Sequence, residues 1–353
     1  MNVSSGKAAI KGWGLEVFQR DLELSEKFTI ATISWEVASN VFVRVRYDGH
    51  EGIGEVSPDE RWGDSPASIV EELRAVDPES LGHPFDLESV LELLPTGATR
   101  CALDIARHDL AAKLAGVSVA ELLGLGGRSL PATSVTVPIA EVDAMVERAG
   151  HLADHPCLKL KVGFEGDLDA VAAIRSAYNG IIRIDANEGW TAEQAIQSLR
   201  ELEAFDIELC EQPIPRDRLD ELRRVTEATS IPVFADEDVS TASDVARLAG
   251  VVDGVNLKLR KTGGMREALR AISTARALDL GVMLGCDLTS GVSATAEASI
   301  ASLVDYADID GPLLLASDPH PGVTYDNGKL TLPRGPGLGI RGDGGQTARV
   351  GAS

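Results

Sequence analysis

The feature that most constrains this chain is a regular beat. From about residue 132 onward, short apolar runs rich in β-branched residues alternate with helical stretches, with a period of about 25 residues. The strand-sized runs are 133–138, 157–162, 181–185, 207–210, 232–235, 254–257, 282–285 and a weaker 307–309. Helical patterns fit between them, among them 167–178, 192–204, 218–229 and 265–279. Eight such units predict an α/β fold, a TIM-like (β/α)7β barrel with a parallel strand wall covered by helices. An open doubly wound sheet would have fewer strands and a phosphate-binding glycine turn after its first. Gly124-Leu125-Gly126-Gly127 follows a helical pattern rather than a strand, so it reads as a linker.

The first 125 residues have a different texture. Residues 13–20 and 41–47 alternate apolar with polar, and 52–56 is a short third strand, together an antiparallel meander. The stretch 21–40 between the first two is too long for a hairpin turn and is predicted to be a functional loop. Helical patterns at 66–76, 86–94 and 99–114 complete an α+β unit. The expected organisation is a capping domain at 1–125, a barrel at 126–328, and a C-terminal part at 329–353. Residues 329–332 are expected to return as a strand to the cap, and 341–353 to fray.

Charge and processing signals remove several classes of function. The chain has 33 basic and 55 acidic residues, a net charge of −22. That excludes sequence-independent nucleic-acid binding, which needs a basic face, and argues against docking on anionic lipid. No run reaches the roughly 18 to 20 apolar residues of a membrane span, and residues 1–9 carry no apolar signal region. Four scattered cysteines (Cys101, Cys157, Cys210, Cys286) form no C-x-x-C pair, which predicts free thiols in a reducing cytoplasm. A homo-oligomer is compatible with the sequence, which does not fix the oligomeric state.

In a barrel, chemistry gathers where strands end. The second run ends Lys159-Leu160-Lys161, two lysines on one face of a strand. The next runs end at Asp185, Glu211, Asp236 and Lys258, at steps of 24, 26, 25 and 22 residues from Lys161. Three acids on adjacent strands, flanked by lysines, would converge on one cavity. Three carboxylates offer hard oxygen ligands to Mg²⁺, and two lysines on opposite flanks can exchange a proton with opposite faces of a bound carbon. Three of only nine lysines in the chain lie at these strand ends. A single Asp after a strand is more often a helix cap; the series is what carries weight.

The series KLKVG (159–163), RIDANEGW (183–190), LCEQPIP (209–215), ADEDV (235–239) and NLKLRKTGG (256–264) resembles the enolase superfamily, and within it the muconate-lactonizing subgroup. The segment TRCALDIARHDLAAKLAG (99–116) is similar to that family's helix leading into the barrel. The mandelate-racemase type of His–Asp dyad is absent, with Lys258 and Asp287 in its place. The resemblance implies Asp185, Glu211 and Asp236 as Mg²⁺ ligands and Lys161 and Lys258 as the two acid/base groups. It implies Lys159 as a support for Lys161 and a contact for the substrate carboxylate, and Asn187 and Glu237 as neighbours of the metal. Such enzymes use a Lys or His base with Mg²⁺ to stabilise an enolate-type intermediate.

A D-x-D pair, Asp308 and Asp310, resembles the dipeptide epimerases, where the pair holds the substrate's α-ammonium group. Its structural alternative is a turn before Gly311-Pro312. Thr136 is a weaker candidate for a peptide contact. Two positions depart from the family pattern. Alanyl-glutamate epimerases carry an arginine where Ile33 stands here, which implies a dipeptide with an uncharged or hydrophobic second residue. Many relatives carry a glutamate where Thr289 stands, in Gly285-Cys286-Asp287-Leu288-Thr289-Ser290. The expected activity is therefore Mg²⁺-dependent dipeptide epimerisation. An o-succinylbenzoate synthase, a muconate-type cycloisomerase and a non-catalytic peptide- or metal-binding protein remain open. So do two local readings: Gly263-Gly264 as an anion site or a close packing point, and Trp35 and Trp62 as pocket caps or packing residues.

Overall fold

The computed structural model describes residues 12–340. Residues 1–9 and the tail 341–353, on which two of the expectations above fall, lie outside them. Three antiparallel strands open the chain: β1 (Gly14–Thr29), β2 (Ser34–Tyr47) and β3 (His50–Val56). The helix Ala98–Ala115 packs on this sheet, most closely on β3. Glycines permit the approach, because a Cβ on Gly54 would sit 1.9 Å from the Ala102 carbonyl oxygen and one on Gly52 2.1 Å from that of Ala106. Val41, Val43, Val45, Leu103, Ile105 and Leu110 are fully buried between the layers, each contributing about 1.5–3 kcal/mol of apolar burial.

The stretch 21–40 is not a loop. β1 and β2 pair from Gly14↔Arg46 out to Thr29↔Ser34, a long two-stranded arm turning at 30–33. Two irregularities hide it from the sequence. The register shifts between Glu23 and Phe28, which breaks the two-residue alternation, and the turn Ile30-Ala31-Thr32-Ile33 contains no glycine, asparagine or proline. The arm reaches over the barrel and is stitched down. Leu24 bridges Leu315, the Ala316 N–H donates to Glu23 O at 2.9 Å, the Ile139 N–H to Thr29 O at 2.9 Å, and Arg148 pairs with Glu26.

Eight parallel strands follow: β4 (Val135–Val137), β5 (Cys157–Lys161), β6 (Ile181–Asp185), β7 (Ile207–Glu211), β8 (Val233–Ala235), β9 (Gly254–Leu257), β10 (Gly281–Gly285) and β11 (Tyr306–Asp308). They lie in sequence order in one sheet, and a Thr133↔Ala307 bridge joins the first to the last. The period of two divides most of the strands, with a register irregularity between β6 and β7. Leu158, Leu160, Ile182, Ile184, Val255 and Leu257 join the main apolar core, whereas Leu209, Phe234 and Met283 form a small separate cluster with Tyr306. Residues 86–94 yield only a short helix, Val90–Leu93.

The C-terminal expectation needs correcting. β13 (Lys329–Thr331) pairs with β12 (Thr324–Asp326), not with the cap sheet. That hairpin meets the start of β4, where Thr133 N–H donates to Gly328 O at 2.8 Å. The chain then does reach the cap's helix, since Leu338 N–H donates to Asp109 Oδ1 at 2.7 Å and Val119 N–H to Gly337 O at 2.9 Å.

Candidate active site

The alternation that buries Leu158 and Leu160 in the core turns Lys159 and Lys161 the other way. The parallel register then aligns strand ends: Lys161 pairs with Asp185 and Asp185 with Glu211. Asp236 and Lys258 come one residue beyond β8 and β9, and Asp308 ends β11. Asp185, Glu211 and Asp236 are buried, with one carboxylate oxygen from each lying within 4.8 Å of the others. These three could hold a metal ion. Lys161 and Lys258 stand on the second and sixth of eight strands, half the barrel apart, with the acids on the strands between.

Lysines and acids compensate one another. Lys159 Nζ lies 2.7 Å from Asp308 Oδ2, 2.8 Å from Glu211 Oε2 and 3.0 Å from Asp185 Oδ2. Lys161 Nζ is 2.6 Å from Asp185 Oδ2, and Lys258 Nζ is 2.9 Å from Asp236 Oδ2. Two residues outside the strand-end series complete the network: Lys261 donates to both the carboxylate and the carbonyl of Asp236, and the Asn256 amide donates to Glu211 Oε1 at 2.7 Å. Asn256 is two residues before Lys258, so the strand period alone would have found it. Asn187 donates to Glu237 Oε1 at 3.4 Å, and Arg61 reaches the same oxygen at 3.3 Å.

Charge states follow from these contacts. Burial pushes the Asp185 carboxyl up, but Lys159 and Lys161 outweigh it and hold it well below the usual range. Asp236 is likewise lowered against its burial by Lys258 and Lys261. Glu211 is raised, by burial first and then by the Asp185 charge. Glu237 is pushed up to about 7 by burial and by Asp236 and Asp185. Burial alone would lower Lys258; Asp236, Asp287 and Glu211 reverse that and raise it.

The D-x-D pair splits. Asp308 accepts from Ser134 Oγ at 2.6 Å and from Lys159, and against its burial these hold it low. Asp310 accepts from the Thr136 N–H at 2.7 Å and lies 3.5 Å from Cys286 Sγ. Burial and then Asp308 raise it, and it forms no ion pair among the described residues. A turn role alone does not explain two buried carboxylates at this position.

A cavity of about 390 Å³ opens above these groups. Its floor includes Thr136, Lys159, Lys161, Lys258, Asp308 and Asp310; Phe28, Ile30, Ile33, Trp35 and Val37 of the arm form much of its roof. Ile33 and Trp35 therefore reach the site. Thr289 does not: it is buried outside the cavity wall, and its neighbour Leu288 lines it instead. Trp62 also lies outside, with the guanidinium groups of Arg216 and Arg260 over its ring at 4.6 and 5.6 Å. The four cysteines are free, and no helix among the described residues is long and apolar enough to cross a membrane.

Comparison with known proteins gives the family. Residues 139–346 match the family described as enolase C-terminal domain-like, and residues 14–124 match the mandelate racemase / muconate lactonizing enzyme N-terminal domain. The chain belongs to the enolase superfamily. This member is 36% identical to the L-Ala-D/L-Glu epimerase of Bacteroides thetaiotaomicron, over 92% of this chain and 86% of the relative. It is 37% identical to the hydrophobic dipeptide epimerase of Roseobacter litoralis, over 85% and 90% of the two chains. Among solved structures, the dipeptide epimerase of Cytophaga hutchinsonii, complexed with Mg and the dipeptide D-Ala-L-Val, superposes with a TM-score of 0.88 at 31% identity. That match covers 94% of this chain and 96% of the other.

Proposed function

We propose that this enzyme is a Mg²⁺-dependent dipeptide epimerase that inverts an α-carbon by a two-lysine 1,1-proton transfer between Lys161 and Lys258. The observation that carries the reading is their placement half a barrel apart, with the three acids between them and a lone buried carboxylate, Asp310, at the cavity floor. Relatives and structural neighbours named as dipeptide epimerases support it. Asp185, Glu211 and Asp236 would hold the ion. Glu211 Oε2 and Asp236 Oδ2 are buried and receive only lysine ion-pair contacts and no aligned hydrogen bond, whereas Asp185 Oδ2 accepts from Lys161 at 2.6 Å. Such a set of hard oxygen donors fits Mg²⁺. When bound, Mg²⁺ supplies the concentrated positive charge that makes an α-proton beside a carboxylate removable.

The protein's own groups do the rest. One lysine takes the proton from one face of the α-carbon, and the other returns a proton to the opposite face. Lys159 supports Lys161 by holding Asp185 and contacts the substrate carboxylate. Asp310, with Asp308 beside it, takes the substrate's α-ammonium group, which would neutralise a carboxylate that lacks a cation. Thr136 contacts the peptide backbone. Ile33, with Phe28 and Trp35, receives an uncharged or hydrophobic second side chain; Arg61, an arginine in the cavity wall, is engaged by Asp59 and Glu237. The division into a cap (1–125), a barrel (126–328) and a C-terminal return (329–353), and residence in a reducing cytoplasm that suits four free thiols, complete the reading.

Incubation with Mg²⁺ and a library of L,L-dipeptides in D₂O tests it. Deuterium at one α-position together with an L,D-product is the expected result. Conversion to an eliminated or cyclised product would favour a lyase or cycloisomerase. No exchange with any dipeptide would sink the proposal.

A further inference from the structure

The two lysines differ in what supports the backbone just beyond them. Lys161 ends β5, and the backbone beyond it is fixed within the barrel. Val162 N–H donates to Asp185 O at 2.9 Å, and Gly163 N–H donates to Asp167 Oδ2 at 2.9 Å. Lys258 instead begins a single helical turn, Leu259–Thr262, closed by Thr262 N–H donating to Lys258 O at 3.0 Å. That turn ends at Gly263 and Gly264, both with positive φ (70° and 112°), before the next helix starts at Met265.

The far end of the turn rests on the cap. Arg100, in the helix Ala98–Ala115, donates from Nη2 to Thr262 O at 2.8 Å and from Nε to Gly263 O at 3.1 Å. These carbonyls end a helical turn and would otherwise be buried without partners. One turn further along, Asp104 accepts the Met265 N–H at 2.6 Å and is itself fully buried. His108 backs it, with Nδ1 2.8 Å from Asp104 O. The two glycines now have a structural reason. A Cβ on Gly263 would lie 2.6 Å from Arg100 Nε, and one on Gly264 2.4 Å from Asp104 Cγ. They are a close packing point between cap and barrel, and their neighbours there are a guanidinium and a carboxylate of this chain rather than an anion. A second tie runs from the same turn, since Arg260 reaches Asp59 of the cavity wall at 3.3 Å.

We propose that Arg100 and Asp104 are positioning residues for Lys258, so that the cap governs one of the two proton transfers and not the other. This inference rests on the two-lysine reading above. A shift of about 1 Å in a reacting group can cost on the order of 100-fold in rate, and the cradle lies one helical turn from Lys258. Lys161 has no equivalent contact to the cap helix among the described hydrogen bonds.

The test compares the two diastereomers of one substrate dipeptide. Deuterium uptake from D₂O is measured separately for the L,L and L,D isomers. Lys258→Ala and Lys161→Ala identify which isomer each lysine serves. Arg100→Leu, shown to be folded by its thermal transition, should slow uptake by the Lys258-served isomer by about 10- to 100-fold. The other isomer should stay within about twofold of wild type, and KM should be little changed for both. Arg100→Lys, which keeps one cationic donor, should recover part of the loss. If Arg100→Leu does not fold, Asp104→Ala and Arg100→Lys carry the same asymmetric prediction. Equal slowing of both isomers, slowing of the Lys161-served isomer, or no change would overturn the proposal while leaving epimerisation intact. Wild-type protein that exchanges neither isomer would remove the two-lysine reading and this inference with it.

Discussion

The floor and the roof of the cavity are built on opposite principles. The floor is polar and buried, and its members stand on barrel strands or just beyond their ends, where the two-residue period points alternate side chains inward. Its groups are held by one another, lysine against carboxylate at 2.6 to 3.0 Å. The roof is largely apolar, comes from one long hairpin, and is fixed by backbone stitches to barrel loops. Charge acts strongly in a buried site. Apolar contact discriminates by only about 1–3 kcal/mol per methylene. The contrast teaches that the reacting groups belong to the barrel and the choice of substrate to the arm, so substitutions in the two should fail in different ways.

The largest effect is expected on the floor. Glu211→Gln should lower activity by roughly a thousandfold or more, the scale of several kcal/mol of lost charge stabilisation. Titration calorimetry should show weakened Mg²⁺ binding. The fold should not suffer. Glu211 is raised, chiefly by burial, so its ionisation opposes folding, and the cost appears as pH rises from its unfolded value toward its folded one. At neutral pH the metal-free variant should therefore melt no lower than wild type; a large drop would show that the floor is structural.

Asp310→Asn should come next. It should raise KM for free dipeptides by about 10- to 100-fold, because a hydrogen bond to a charged group contributes about 1.5–3 kcal/mol. An N-acetylated dipeptide, which lacks the ammonium group, should be almost insensitive to the change. On the roof, Ile33→Arg should shift preference toward an acidic second residue by about tenfold, read as a ratio of kcat/KM values, with the reaction itself intact. Loss of kcat for all substrates would break the division between floor and roof. The smallest effect is assigned to Thr289→Ala, which should change kcat/KM less than about twofold because the residue lies outside the cavity wall.

Legibility in the sequence follows the same division. The barrel was readable because one physical rule, strand period plus helix spacing, repeats eight times and places Lys161, Asp185, Glu211, Asp236 and Lys258 at equivalent points. The D-x-D pair was readable by resemblance. The arm was not, because a register shift near Glu23 and a turn without turn-type residues erased its alternation. Thr289 stands at a motif position, and motif position does not say which neighbour faces the cavity. Lys261, Arg100 and Asp104 were missed for a different reason. Arg100 and Asp104 meet backbone groups distant in sequence, and Lys261 meets the carboxylate and carbonyl of Asp236; nothing in a single chain marks an arginine as the donor to a carbonyl 162 residues away.

The most direct measurement of the central claim is single-face exchange by Lys161→Ala and Lys258→Ala in D₂O with Mg²⁺ and a substrate dipeptide. Each variant should lose inversion by about 10²–10⁴-fold. Each should still catalyse deuterium uptake from D₂O into one diastereomer only, and the diastereomer should differ between the two variants. Inversion by both variants, or exchange confined to the same diastereomer in both, would contradict the assignment of one lysine to each face.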